Sequence, residues 1–144
     1  INYLTNPDKN NIVIGSKYAD KYLEGDGGQN KIYGLGGNDK IYVSGVKNIV
    51  YGGLGNDVLH VLNGNSHKLY GGKGKDIFKL STIGKGKDLI ADFTDKEDKI
   101  FVGSIKKLKL KNKGKDVYIY NGKDLLAKVK GAKGDLSKKG KHLV

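Results

Sequence analysis

Four aspartates, Asp20, Asp39, Asp57 and Asp76, each stand two residues ahead of an apolar or aromatic residue. Glycines crowd in front of the last three, as "GLGGND" at 34–39, "GGLGND" at 52–57 and "GGKGKD" at 71–76. Glycine reaches positive φ and lets backbones approach closely, so a glycine-rich turn can present its carbonyl oxygens. A carboxylate beside those carbonyls makes an all-oxygen donor set, the kind a hard divalent cation such as Ca2+ takes. The candidate ligand set is therefore Asp20, Gly34, Gly36, Gly37, Asp39, Gly52, Gly53, Gly55, Asp57, Gly71, Gly72, Gly74 and Asp76.

Other chemistry is poorly supplied. The chain has no Cys and only three histidines, His60, His67 and His142. No G-x-S-x-G, H-E-x-x-H or complete phosphate loop occurs, and "GDGGQN" never completes G-x-G-x-x-G. Ser66 and His67 are adjacent, a spacing that makes no dyad by itself. These 144 residues read as non-catalytic, although a parent protein could be an enzyme.

The elements that position the aspartates follow from a repeat. Apolar or aromatic centres at Val13, Tyr22, Ile32, Ile41, Val50, Leu59, Leu69, Phe78 and Ile90 recur about every nine residues. Each unit is a six-residue turn and a three-residue strand whose residues alternate out, in, out. Such strands form no independent hairpin, but they stack as parallel rungs. Consecutive units then alternate between two sheets, two per coil, with the centres meeting in between.

That alternation sorts the sixth position of each unit onto two edges. One edge carries Asp20, Asp39, Asp57 and Asp76; the other carries Asn11, Asn30, Asn48 and His67 or Ser66. Rungs lie about 4.8 Å apart, and carboxylates at that spacing repel by about 3 kcal/mol at an effective dielectric of about 20. A lone aspartate in a turn commonly bonds its own backbone, but four in register call for a cation. Amides both donate and accept and need none. Tyr18 stands where the first acidic unit has lost a glycine.

The phrases "GGLGNDVLH" and "GGKGKDIFK" match the nonapeptide G-G-x-G-x-D-x-U-x, and "GLGGNDKIY" and "GDGGQNKIY" come close. With the closing phrase "GKGKDLIADFTDKEDKIFV" at 84–102, the chain resembles the RTX, haemolysin-type, calcium-binding β-roll modules of secreted toxins, metalloproteases, lipases and alginate epimerases. The resemblance implies an all-β, right-handed parallel β-roll, Ca2+ as cofactor, and a further metal position at Asp88. It also implies a secreted, extracellular, bacterial protein exported by a route that reads the C-terminus, and a covalently attached N-terminal catalytic or adhesive domain. The roll and its closing segment are expected over 1–102, and a Lys-rich cap of antiparallel β-hairpins with a tail over 103–144.

The net charge is +12 and all 27 basic residues are lysine. After residue 100 come 13 lysines and 3 acidic residues. Lys107, Lys109 and Lys111 are expected on one face of a strand, with Leu108 and Leu110 on the other. On the roll, Tyr33, Tyr51 and Tyr70 form an aromatic stripe, with Lys31 and Lys68 two residues before the first and last. Aromatic faces beside cations suit an acidic polysaccharide. Nucleic acid is the weaker partner, because no Arg is available for forked contacts, and no apolar stretch is long enough to span a membrane. The expected function is a calcium-binding module that folds on meeting extracellular calcium. The alternatives are an accessory module for acidic polysaccharide and a self-associating matrix protein.

Overall fold

Strands this short gain their hydrogen bonds from neighbouring coils, so the chain must wind before any of them is stable. The computed structural model describes residues 3–4, 10–82, 85–103, 106–139 and 142–144. Residues 6–9 of the first repeat and Gly84 of the closing phrase lie outside the described residues.

The winding part comprises β1 (Tyr3–Leu4), β2 (Ile12–Ile14), β3 (Tyr22–Gly25), β4 (Lys31–Tyr33), β5 (Lys40–Val43), β6 (Ile49–Leu54), β7 (Val58–Val61), β8 (Lys68–Lys73), β9 (Ile77–Leu80), β10 (Asp88–Ile90) and β11 (Lys99–Val102). Successive strands fall alternately on two sheets, and every pairing among them is parallel. β12 (Leu108–Lys113), β13 (Asp116–Asn121) and β14 (Asp124–Val129) form an antiparallel meander, followed by β15 (Lys138–Lys139) and β16 (His142–Leu143). The first sheet runs β1-β3-β5-β7-β9-β11-β16-β15 and the second β12-β13-β14-β10-β8-β6-β4-β2. The fold is thus an all-β parallel roll with C-terminal hairpins. The hairpins continue both sheets beyond the last roll strands, β14 pairing with β10 and β16 with β11, and their Leu108, Val117, Ile119 and Leu126 join the buried core.

The core is the column of inward centres: Val13, Leu23, Ile32, Ile41, Val50, Leu59, Leu69, Phe78, Ile90 and Ile100 are all buried. Burying each large apolar side chain contributes about 1.5–3 kcal/mol. The second centre corrects the expectation of Tyr22. Leu23 pairs with Ile41 and is fully buried, while Tyr22 turns outward and stacks on Tyr42 with centroids 4.6 Å apart. An aliphatic side chain fills the narrow space between sheets, whereas a phenol there would leave its hydroxyl without a partner. The chain accommodates the change with one extra residue ahead of β3. First-sheet strands also run to four residues, placing Val43, Val61, Leu80 and Val102 as a second inward row.

Candidate metal centre

The turns ahead of the first-sheet strands carry the acidic ladder. The backbone N–H of Asp20 donates to Oδ1 of Asp39 at 2.8 Å, Asp39 to Asp57 at 2.8 Å, Asp57 to Asp76 at 2.9 Å, and Asp76 to Asp98 at 2.9 Å. All five side chains are buried. Asp98 is a fifth rung that the sequence reading passed over. Its signal was available: Asp98 precedes Ile100 as Asp76 precedes Phe78. Asn56 and Lys75 bind the same turns together, each donating its N–H at 2.8 Å to the side-chain oxygen of Asn38 and Asn56 respectively.

One oxygen of each carboxylate is thereby used. The other, Oδ2 of Asp39, Asp57 and Asp76, is buried without a hydrogen-bond partner. Each points into space that only glycine leaves open. A Cβ on Gly52 would lie 2.5 Å from Asp57 Oδ2 and 2.5 Å from the Gly71 carbonyl oxygen. A Cβ on Gly34 would lie 2.6 Å from Asp39 Oδ2 and 2.4 Å from the Gly52 carbonyl oxygen. A carboxylate oxygen without a hydrogen-bond partner and a carbonyl oxygen of the next coil thus come together beside each of these glycines, an all-oxygen pairing that fits a hard cation. Gly53 and Gly72, with φ of 100° and 90°, pack against the preceding coil so closely that a Cβ would come within 2.2 and 2.1 Å of a carbonyl oxygen. Gly37, Gly55 and Gly74 also have positive φ, while Gly36 lies against Lys17. Asp39, Asp57 and Asp76 with the glycine carbonyls would hold Ca2+, and the ion would supply the positive charge that lets stacked carboxylates ionise.

Electrostatics point the same way. Burial pushes the Asp57 carboxyl up to about 7 and those of Asp39 and Asp76 up to about 6, neighbouring acidic charges add to this, and the ladder hydrogen bonds oppose it. Asp20 is different. Its Oδ2 accepts the Ser16 N–H at 2.7 Å, and the Ser16 hydroxyl lies 3.2 Å from Oδ1. Tyr18 is exposed beside this turn. The first cradle therefore has its own donors.

The opposite edge satisfies itself. Asn11 donates its N–H to Asn30 Oδ1 at 2.9 Å, Asn30 to Asn48 Oδ1 at 3.0 Å, and Asn48 to His67 Nδ1 at 3.2 Å. The other side-chain nitrogens reach back four residues: Asn30 Nδ2 to the Asp26 carbonyl and Asn48 Nδ2 to the Ser44 carbonyl, both at 2.7 Å, and His67 Nε2 to the Asn63 carbonyl at 3.2 Å. Burial lowers the His67 pKa, favouring the neutral ring these contacts require. Asp88 stands on this edge, accepting the His67 N–H at 2.9 Å, and burial raises it to about 7. The structure does not bring Asp88 to the acidic ladder.

The outer face of the second sheet collects the expected aromatic and basic residues. Tyr33, Tyr51 and Tyr70 stack with centroids 5.0 and 4.9 Å apart. Strand register places Lys31 and Lys68 in one outward row that continues through Leu89, Lys128 and Tyr118 to Lys111. Lys109, Lys111 and Lys113 alternate along β12 on this face, while Lys107 lies in the turn before it. Lys113 and Lys128 sit over the Tyr118 ring at 4.6 and 5.8 Å, and Lys111 over Tyr120 at 5.3 Å. The first sheet carries a second aromatic row that the sequence reading missed, Tyr42 packing on His60 at 5.5 Å and Phe101 on His142 at 5.1 Å.

Fold and edge together define a parallel β-roll with a row of buried carboxylates along one side. The family model of the RTX calcium-binding nonapeptide repeat, in four copies, matches residues 22–45 and 47–67 of this chain. The acidic ladder runs on beyond the matched segment to Asp76 and Asp98. Among solved structures, the AlgE6R3 subunit of the Azotobacter vinelandii mannuronan C5-epimerase is 22% identical, with a TM-score of 0.44, covering 86% of this chain and 71% of that one. The AlgE6R2 subunit of that epimerase is 24% identical, with a TM-score of 0.36 and 83% of each chain covered. No curated protein matches the chain in sequence.

Proposed function

We propose that this RTX module is a secreted, calcium-driven folding unit, part of a larger exported bacterial protein, which acts by binding and not by catalysis. The observation that carries the reading is the row of buried, partnerless Oδ2 atoms on Asp39, Asp57 and Asp76. Without a cation these oxygens face carbonyls and one another's charge, so the roll is disfavoured where calcium is scarce. Extracellular calcium binds the wound chain and not the unwound one, and the binding free energy becomes folding free energy. A loose chain inside the cell suits passage through a narrow export channel whose signal is read at the C-terminus. Circular dichroism in chelator and in millimolar calcium tests this. Disorder in chelator and β-structure in calcium are expected; an unchanged folded spectrum in chelator overturns it.

A second reading rests on a different observation, the tyrosine stack and the cap lysines on one outer face. Stacked phenol rings offer flat apolar surface to sugar rings, and the lysines offer charge to carboxylates or sulfates. The module would then hold an acidic polysaccharide for an attached enzyme while calcium keeps the face rigid.

A further inference from the structure

The acidic edge ends differently from the way it runs. At Gly34 and Gly52 the space next to the carboxylate is shared with the glycine carbonyl of the following coil. At Gly71 the nearest atoms to a Cβ all belong to Asp76, and no such carbonyl is among them. Yet Asp76 is fully buried and its Oδ2 is also without a partner. A different group comes to this end. Asp92, from the closing segment, accepts the Gly71 N–H at 2.8 Å with Oδ1 and the Gly72 N–H at 2.9 Å with Oδ2. Asp98 accepts the Asp76 N–H at 2.9 Å and the Thr94 N–H at 2.8 Å. The charges of Asp98, Asp92 and Glu97 all bear on the Asp76 carboxyl.

We infer that Asp76 and Asp92 form an additional cation site closing the C-terminal end of the acidic edge, with Asp98 holding the Asp76 turn in place. The inference rests on the calcium reading of the ladder and extends it beyond the nonapeptide pattern. Asp92 brings a second carboxylate to Gly71, the glycine that faces Asp76 Oδ2. Its two oxygens keep free lone pairs while accepting one N–H each, since a carboxylate offers about four acceptor positions. The site has more negative charge than the inner cradles, so it takes a hard cation of high charge: Ca2+ or a trivalent lanthanide.

The test counts ions in the whole chain by calorimetric titration with calcium, comparing the unmodified protein with Asp92→Asn. The expected result is one ion fewer in the variant, with β-structure still reached in excess calcium. An equal count with lower stability would make Asp92 only a cap for two N–H groups and overturn the site. If the variant does not fold, nuclear magnetic resonance of the unmodified calcium-loaded protein decides, using substoichiometric Gd3+. Broadening of the Thr94 and Gly72 amides supports the closing site, whereas broadening confined to amides of residues 34–57 overturns it. An unmodified protein that binds no calcium overturns both the ladder reading and this one; an unchanged count in Asp92→Asn overturns this one alone.

Discussion

The backbone N–H of Asp57 donates to Oδ1 of Asp76 at 2.9 Å, and the second oxygen of each residue is left buried with nothing to bond. On the far edge Asn30 makes the same N–H bond to Asn48, but Asn48 turns its amide nitrogen onto the Ser44 carbonyl at 2.7 Å. One edge closes with an amide proton; the other closes with an anion that calls for a cation.

Exchanging the two chemistries is therefore informative. Asp57→Asn keeps the acceptor for Asp39 and replaces a partnerless oxygen with a donor. Calcium stoichiometry should fall, and the chelated variant should be more folded near neutral pH than the chelated parent. Asn48→Ala should leave the stoichiometry unchanged while costing about 1–3 kcal/mol for the buried groups it strands. Calorimetric ion counts and circular dichroism in chelator check both.

Acid should stabilise the metal-free roll. The Asp39, Asp57 and Asp76 carboxyls are raised from 3.8 to between about 6 and about 7 in the fold, chiefly by burial. The folded chain then binds protons more tightly than the unfolded one. This contribution is fully present below about pH 4 and is lost as pH rises through 6 to 7, on the order of 3 kcal/mol per carboxyl. The rungs are coupled, so the three do not add. In metal-free buffer the melting temperature should be higher at pH 5 than at pH 8. With calcium the order reverses, because protons compete with the ion for the same oxygens. A metal-free protein more stable at pH 8 would contradict this account.

Glycine substitutions should separate backbone strain from steric closure. Gly114 has φ of 62° with nothing within 4 Å of a Cβ, so Gly114→Ala should cost about 1–2 kcal/mol. Gly72 has φ of 90° and the Gly53 carbonyl oxygen 2.1 Å from a Cβ. Gly72→Ala should cost several kcal/mol and loosen calcium as well, because the coils must separate. Thermal melts in saturating calcium rank the two.

The polysaccharide reading has its own measurement. Replacing Lys109, Lys111 and Lys113 together with Gln should weaken binding to alginate or heparin and flatten its salt dependence. Tyr51→Ala, in the middle of the stack, should weaken binding with little change in salt slope. No binding of the unmodified protein to any acidic glycan would remove this reading.

The alternation of Asp and Asn edges was legible because period nine with two units per coil is a local rule, and each unit states its own turn chemistry. Where the rule is broken by an insertion, local reading fails. Tyr22 and Leu23 are both plausible centres, and only the pairing of Leu23 with Ile41 against a filled core chooses between them. Asp98 and Asp88 were hard to place for a related reason. The longer spacing after Phe78 hides which edge each reaches, and the ladder bonds to Asp76 and His67 decide it.

The sequence by itself determined the parallel roll, its two sheets and the separation of charge from amide, because these depend on residue type at a fixed spacing. Tertiary structure decided what meets across the coils. Asp92 standing at the end of the acidic edge and the tyrosines sharing a face with the cap lysines both join residues that no period connects. Such contacts depend on where the chain ends its winding and how the hairpins continue the sheets. That is settled by hydrogen-bond register over the whole molecule, and no single repeat contains it.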